Sequence, residues 1–286
     1  MLSILIPTYN CVCFTLVESL QRQAEGLGMP YEIIVADDGS RDQVGILANL
    51  KINELPHCRY LLRHENVGRA AIRNVLVREA QGDLLLMMDA DGAVVSPSFL
   101  MDYIEAAGRA DVVCGGVTHP RECPDPTRRL RWKYERHYED VHGCVSPEFR
   151  SFCFLMHRRV ATAVPFDEQY RHYGYEDVQF GRDLQRAGFS LLSIPNPLLN
   201  TDIEPSPVFL RKTEEALRTA CSMQAQLGQS VMLLRLYRRV AWVGPLLRVG
   251  YRLLGGLLRR HLTQSSNPRL PLFSLYRLLY FSSLRP

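Results

Sequence analysis

The first half of the chain alternates short apolar runs with longer stretches in which apolar residues recur every three or four positions. The runs 2–6, 31–36, 59–63, 84–88 and 111–115 have the length and composition of strands. The stretches 14–25, 42–50 and 69–80 have the period of helices, Gly26 and Gly82 close two of them, and Ser96-Pro97 opens another. The strand-like runs are continuously apolar, as expected when both faces of a sheet are covered. Strand–helix alternation of this kind predicts an α/β fold, a Rossmann-like and mostly parallel sheet with flanking helices. Farther along, 151–157 reads as a strand. Residues 176–187 read as a helix with Phe180, Leu184 and Ala187 on one side, stopped by Gly188, and a helix runs from Ser206-Pro207 to about Leu227. Between them, residues 120–143 are polar, aromatic and rich in Arg.

From Ser230 onward the pattern changes: Leu, Val, Tyr and Trp alternate with Arg at helical spacing, with Pro245, Pro268 and Pro271 dividing the segment. Charge sharpens this break. Residues 229–286 hold ten Arg, no Lys and no acid, a charge of +10, whereas the other 228 residues hold 24 basic and 30 acidic groups, so the net +4 conceals −6 against +10. Two regions follow, 1–227 and a basic amphipathic helical tail, 228–286. No apolar stretch reaches the ~20 residues of a spanning helix. An amphipathic basic helix suits the plane of an anionic membrane surface, with an Arg-rich packing or dimer face as the alternative. Nucleic acid is a poorer partner, because the apolar half would have no use there. The eight Cys show no zinc-ribbon spacing and several sit in apolar runs. The opening MLSILIPTYN has no basic leader and reads as a strand. A cytoplasmic protein, peripheral at the inner face of the cell membrane, is the expectation.

Candidate chemistry clusters where such a sheet binds ligands, beyond the carboxyl ends of its strands. Pro7–Asn10, Asp37–Ser40 and Asp89–Gly92 all fall there. Asp89 and Asp91, one residue apart after a strand, can share a hard divalent cation. Turns also favour Asp for backbone reasons, so neither acidic pair is decisive alone. Residues 66–74 (NVGRAAIRN) place a Gly turn and two Arg at a helix start, a setting for an anion. Tyr173–Asp177 put two carboxylates at another helix start, where they also complement the helix dipole.

Taken together, PTYN, DDGS, NVGRAAIRN, DADG and GYEDVQFGRDLQRAG, in this order and spacing, resemble the family 2 glycosyltransferases of the GT-A fold, over roughly residues 1–227. The resemblance implies an inverting hexosyltransferase of the surface-polysaccharide type. It would use a nucleotide-diphosphate sugar, with UDP the favoured nucleotide, and a hydroxyl of a glycan or lipid-linked acceptor. Pro7, Thr8, Tyr9, Asp37 and Asp38 would then hold the nucleobase and ribose, with Asn66, Gly68, Arg69, Arg73 and Ala90 near the nucleotide. Asp89 and Asp91 would bind the ribose and the Mg2+ or Mn2+ that bridges the diphosphate. Asp177 would act as general base and Glu176 would orient the sugar or acceptor, with the reverse assignment open. Asn200 stands where similar chains often carry a metal-contacting His, and Asp202 is a possible substitute. Trp132 and Tyr134 are candidates to stack on an acceptor sugar, with plain packing as the equal alternative. Two rivals remain at this point: a catalytically degenerate membrane scaffold, and a haloacid-dehalogenase-type phosphatase in which Asp89 is the nucleophile.

Overall fold

The computed structural model describes residues 1–138, 149–228 and 230–285. Its strands are β1 (Leu2–Thr8), β2 (Tyr31–Asp37), β3 (Cys58–Leu62), β4 (Leu84–Met88), β5 (Gly92–Ala93), β6 (Val112–Cys114), β7 (Val117–Thr118), β8 (Cys153–His157), β9 (Leu191–Ser193) and β10 (Leu198–Asn200). Its helices are α1 (Phe14–Glu25), α2 (Gln43–Leu50), α3 (Arg69–Glu79), α4 (Phe99–Ala106), α5 (Arg129–Tyr138), α6 (Arg158–Ala163), α7 (Glu176–Arg186), α8 (Ser206–Ser222), α9 (Gln224–Leu227), α10 (Met232–Val240), α11 (Gly244–Gln264) and α12 (Leu270–Ser283).

The chain forms two compact units. The first comprises 1–118, the described part of 140–171, and 180–202. Seven strands make one sheet in the order β3-β2-β1-β4-β8-β6-β9. Only β8 runs against the others. Every residue of β2 is buried, and β1 is nearly so, which explains why these runs are apolar without alternation. One face carries Ile4, Ile6, Ile33, Val35 and Leu86 against α1 and α4, through Val17, Leu20, Phe99 and Tyr103. The other carries Leu5, Ile34, Leu85 and Met87 against α3 and α7, through Ile72, Leu76, Phe180 and Leu184. Each such side chain contributes about 1.5–3 kcal/mol by leaving water.

The chain builds outward from β1 to β3 and then returns to lay β4 on the other side of β1. The strand order therefore reverses between β1 and β4, the position at which α/β sheets leave a crevice. A second, three-stranded sheet, β5-β10-β7, clips the end of β10 onto the turn after β4, with Asn200 opposite Gly92. A Cβ on Gly92 would lie 2.2 Å from Leu198 Cδ2, so only glycine allows this approach.

The second unit is helical. It comprises the described part of 119–139, residues 172–179, and 203 onward. The boundary expected at 227/228 is not where the structure divides. Helix α8 buries Phe209, Leu210, Leu217 and Ala220. α5, α11 and α12 pack against α8, so the basic helices share one core with residues 203–222. That core is aromatic: Tyr134, Phe209 and Phe273 lie with ring centroids 5.5 Å apart. Among the described residues, no helix is long and apolar enough to cross a membrane. Seven cysteines there are free thiols, and Cys144 lies outside the described residues.

Candidate donor site and catalytic turn

The loops beyond β1, β2, β3 and β4 in the first unit are fastened to one another by side chains. Thr8 pairs with Asp37 across β1 and β2. Beyond them Asn10 N–H donates to Ser40 Oγ at 2.7 Å, and Asn10 Oδ1 accepts from Arg41 N–H at 2.9 Å. Asp37 accepts from the Tyr60 hydroxyl and from Ser40 N–H, the latter at 2.7 Å. Asp38 accepts from Val67 N–H at 2.8 Å and Gly68 N–H at 2.9 Å, one bond to each carboxylate oxygen. Gly68 is the cap of α3 with φ 91°, a left-handed conformation that disfavours other residues. Burial pushes the Asp38 carboxyl above its usual range, and the two amides oppose that shift. Both acids are buried, so the DDGS turn spends its carboxylates holding the rim together.

Asp89 and Asp91, one residue apart, have different surroundings. Asp89 Oδ2 meets Arg69 Nη2 at 2.7 Å and Asp89 Oδ1 meets Arg73 Nη2 at 2.8 Å. Arg73 is 1% exposed, also donates to Ser151 Oγ at 3.3 Å, and lies over the Phe166 ring at 5.3 Å. Asp91 is anchored through its backbone carbonyl. Its carbonyl accepts Thr201 N–H at 2.9 Å and Thr201 Oγ1 at 2.8 Å. Those two hydrogen bonds set Asp202, exposed and 111 positions later in the sequence, beside the DADG turn. Asn200 is 2% exposed, and its Oδ1 accepts Asp202 N–H at 3.1 Å. Of the two substitutes left open by the sequence, Asn200 is used in the turn and Asp202 is the accessible carboxylate. The negative field here is registered by Cys11: burial first, then Asp91, Asp202 and Asp89, push its thiol up to about 12.

Around this rim, Pro7 is half-buried, Thr8 is buried with its hydroxyl on Cys11 O at 3.0 Å, and Tyr9 presents an exposed ring. Asn66 is exposed and Ala90 buried. Among the described residues, no group of three or more His, Cys, Asp or Glu side chains is gathered as a metal cage. The donor set fits Mg2+ or Mn2+ nonetheless, because Mg2+ is commonly held by one or two carboxylates plus substrate phosphates and waters.

Glu176 and Asp177 belong to the second unit, at the first turn of α7. The turn that delivers them has two left-handed residues in succession, Gly174 at φ 100° and Tyr175 at φ 71°. The second is a non-glycine outlier that costs roughly 1–2 kcal/mol. α8 holds the turn: Tyr173 N–H donates to Glu215 Oε1 at 3.3 Å, and Tyr173 O accepts from Thr219 Oγ1 at 3.1 Å. Glu176 is buried, whereas Asp177 is partly exposed. The burial of Tyr175 raises its hydroxyl pKa against the opposing influence of Arg277. No sequence pattern signalled Arg277, which sits in the tail.

The two acceptor candidates lie on α5 in the same unit. Trp132 Nε1 donates to Pro120 O at 2.9 Å, and Arg136 lies over its ring at 5.7 Å. Tyr134 packs against Tyr138, Phe209 and Phe273 at 5.1–5.5 Å between centroids. For Tyr134 the packing alternative describes its surroundings.

Comparison with known proteins agrees with this architecture. A sequence model of glycosyl transferase family 2 matches residues 3–164. The Escherichia coli chondroitin synthase is 25% identical over 68% of this chain and 33% of its own length. An uncharacterized glycosyltransferase of Bacillus subtilis, YwdF, is 28% identical over 63% of this chain and 61% of its own. The chain thus spans between a third and about three fifths of these two relatives. Among solved structures, the Pyrobaculum calidifontis mannosyltransferase PcManGT, in complex with GDP-Man and Mn2+, has a TM-score of 0.57 at 16% identity, covering 99% of this chain and 85% of that one. S. aureus TarS residues 1–349, in complex with UDP-GlcNAc, has a TM-score of 0.51 at 19% identity, covering 74% and 64%. At such identities the structures speak for the GT-A fold alone. The family match leaves no place for the phosphatase reading of Asp89, whose carboxylate is moreover neutralised by two arginines. With the reversed strand order, the fastened loops and the family match over more than half its length, the chain belongs to glycosyl transferase family 2.

Proposed function

We propose that this protein is an inverting glycosyltransferase that moves a sugar from a nucleotide-diphosphate sugar, a UDP-sugar, to a hydroxyl of a glycan or lipid-linked acceptor in cell-surface polysaccharide synthesis. The observation that carries the reading is the fastened rim at the β1/β4 reversal, where Asp91 and Asp202 stand together beyond the sheet. In this reading the exposed ring of Tyr9 stacks on the base, and the DDGS and NVGR loops line the base and ribose. Asp89, held by Arg69 and Arg73, orients the ribose. Asp91, aided by Asp202, holds Mg2+ or Mn2+. When bound, that ion supplies charge neutralisation for the departing nucleoside diphosphate.

Asp177 accepts the acceptor hydroxyl's proton while that oxygen forms its bond to the anomeric carbon. The bond from that carbon to the diphosphate oxygen breaks on the opposite face, so an α-linked donor yields a β-linked product. Glu176 orients the sugar or acceptor. The polysaccharide assignment rests on similarity to chondroitin synthase and to the Pasteurella multocida hyaluronan synthase, which is 26% identical over 65% of this chain.

Calorimetric titration with a panel of UDP- and GDP-sugars, with and without Mn2+, tests the donor site. Mn2+-dependent binding of one nucleotide class, lost in Asp91→Ala, is the expected result; no binding of any nucleotide sugar would sink the reading. Asp177→Asn should keep donor affinity and lose about 10²–10⁴-fold in turnover.

A further inference from the structure

The basic helices pack their inner face and leave an apolar outer face. On α11, Leu246, Val249, Leu253 and Leu257 recur at intervals of three and four, which places them on one stripe about 16 Å long. They are 68%, 47%, 71% and 66% exposed. The buried residues of the same helix, Gly244, Gly255 and Leu262, fall on the opposite side. The short turn that precedes α11 adds Trp242, 83% exposed. A helix that is apolar on both faces has its second face made for something other than water.

The arginines sort by face as well. Spaced by four and seven, Arg248, Arg252 and Arg259 fall on one side of an ideal helix. In the structure Arg259 turns inward to Glu214 at 2.5 Å, and Arg248 donates to Arg285 O at 3.1 Å. Arg252 and Arg260 stay exposed beside the apolar stripe, and Arg238 and Arg239 are exposed near Trp242. No acid occurs anywhere from Ser230 to the C-terminal residue.

We propose that the outer face of α11, with Trp242 and the flanking Arg252 and Arg260, is a docking surface for an anionic lipid bilayer. The helix lies in the plane of the headgroups with its leucines among the acyl chains. Charge complementarity selects this occupant. A second copy would bring two arginine rims together without a counter-charge, whereas an anionic headgroup layer neutralises the rim while the acyl region takes the stripe. Among the described residues no helix is long and apolar enough to cross a membrane, and a lateral seat needs none. The inference stands apart from the sugar-transfer reading, since it concerns where the chain sits and not which donor it takes.

The test is sedimentation of the full chain with large unilamellar vesicles at physiological salt. One set is phosphatidylcholine alone and the other contains about a third phosphatidylglycerol. Binding to the anionic vesicles at least about tenfold tighter than to the neutral ones is expected. A blue shift of tryptophan emission should accompany it and vanish in Trp242→Phe. Leu253→Glu with Leu257→Glu should cut binding by at least about tenfold while leaving the circular dichroism spectrum unchanged, since both side chains are exposed. Absence of binding by the wild type, equal binding to neutral vesicles, or unimpaired binding by the double variant would each overturn the proposal. So would a wild-type dimer in light scattering that the double variant converts to monomer, because a second copy would then own the stripe.

Discussion

The two units stabilise their arginines by different mixtures of carboxylates and aromatic rings. In the sheet unit, acids do the work: Asp89 holds Arg69 and Arg73, and Asp38 holds the backbone amides that start α3. In the helical unit Arg131 meets Glu135 and Glu204, and Arg259 meets Glu214, but many cations also lie over aromatic rings. Arg131 covers Phe209, Arg218 covers Tyr280, Arg277 covers Tyr134 and Phe273, and Arg285 covers Tyr237 and Phe281, all at 5.0–5.9 Å. A guanidinium is planar and weakly hydrated, so it stacks on a ring at little desolvation cost. The contrast shows why a segment with ten Arg and no acid folds at all: its charge is spread over rings, carbonyls and the Glu214 carboxylate, and the surplus is left on an outer rim.

The sharpest break of that comparison is at the DADG turn. Asp89→Ala leaves the buried Arg73 without its carboxylate and should lower unfolding free energy by about 3–5 kcal/mol in denaturant titration. Asp91→Ala should stay within about 1 kcal/mol of wild type, because its side chain is partly exposed. Equal stability losses in both would mean the turn is one structural unit without a division of labour.

An intermediate effect is expected where the tail relies on the carboxylate of Glu214. Glu214 accepts from Arg259 at 2.5 Å and from the Tyr276 hydroxyl at 2.6 Å. Glu214→Gln should cost about 1–2 kcal/mol, reduced from the buried-pair range because Arg259 is partly solvated. No loss in thermal unfolding would show that ring stacking alone holds α11 and α12.

The smallest effect concerns pH. The carboxyl of Asp38 is raised by burial, so in the folded state it holds its proton more tightly than in the unfolded chain. Its contribution to stability is therefore greatest below the ordinary carboxylate pKa and falls as pH rises through the raised value. In urea titrations across acid pH, wild type should lose stability relative to Asp38→Asn as pH rises. A difference that runs the other way would mean that the amides of Val67 and Gly68 outweigh desolvation.

Much of the sheet unit could be read from the chain. Helix α1 begins and ends where its apolar period does, and the acids sit at strand ends because only there can a buried sheet tolerate them. The candidate site was legible as five motifs, but not as a division of roles among them. Asp38 and Asp89 looked like open ligands until their partners, 16 to 30 positions away, were seen to occupy both of their oxygens. Asp202 gained its place only through the small sheet that joins β10 to β5. In the tail, helical spacing grouped Arg248 with Arg252 and Arg259, yet packing turned two of the three inward.

The sequence by itself determined the strand–helix alternation, the family, the position of polar loops beyond the strands, and the split between an acidic body and a basic tail. These depend on periodicity and local turn chemistry, which act over a few residues. Only the tertiary structure decided which carboxylates are consumed by arginines and amides, that Asp202 joins Asp91, and which face of α11 is left bare. Those outcomes depend on strand register and on what each face finds opposite it. A repeating pattern specifies that a face is apolar or charged, and only packing specifies its partner.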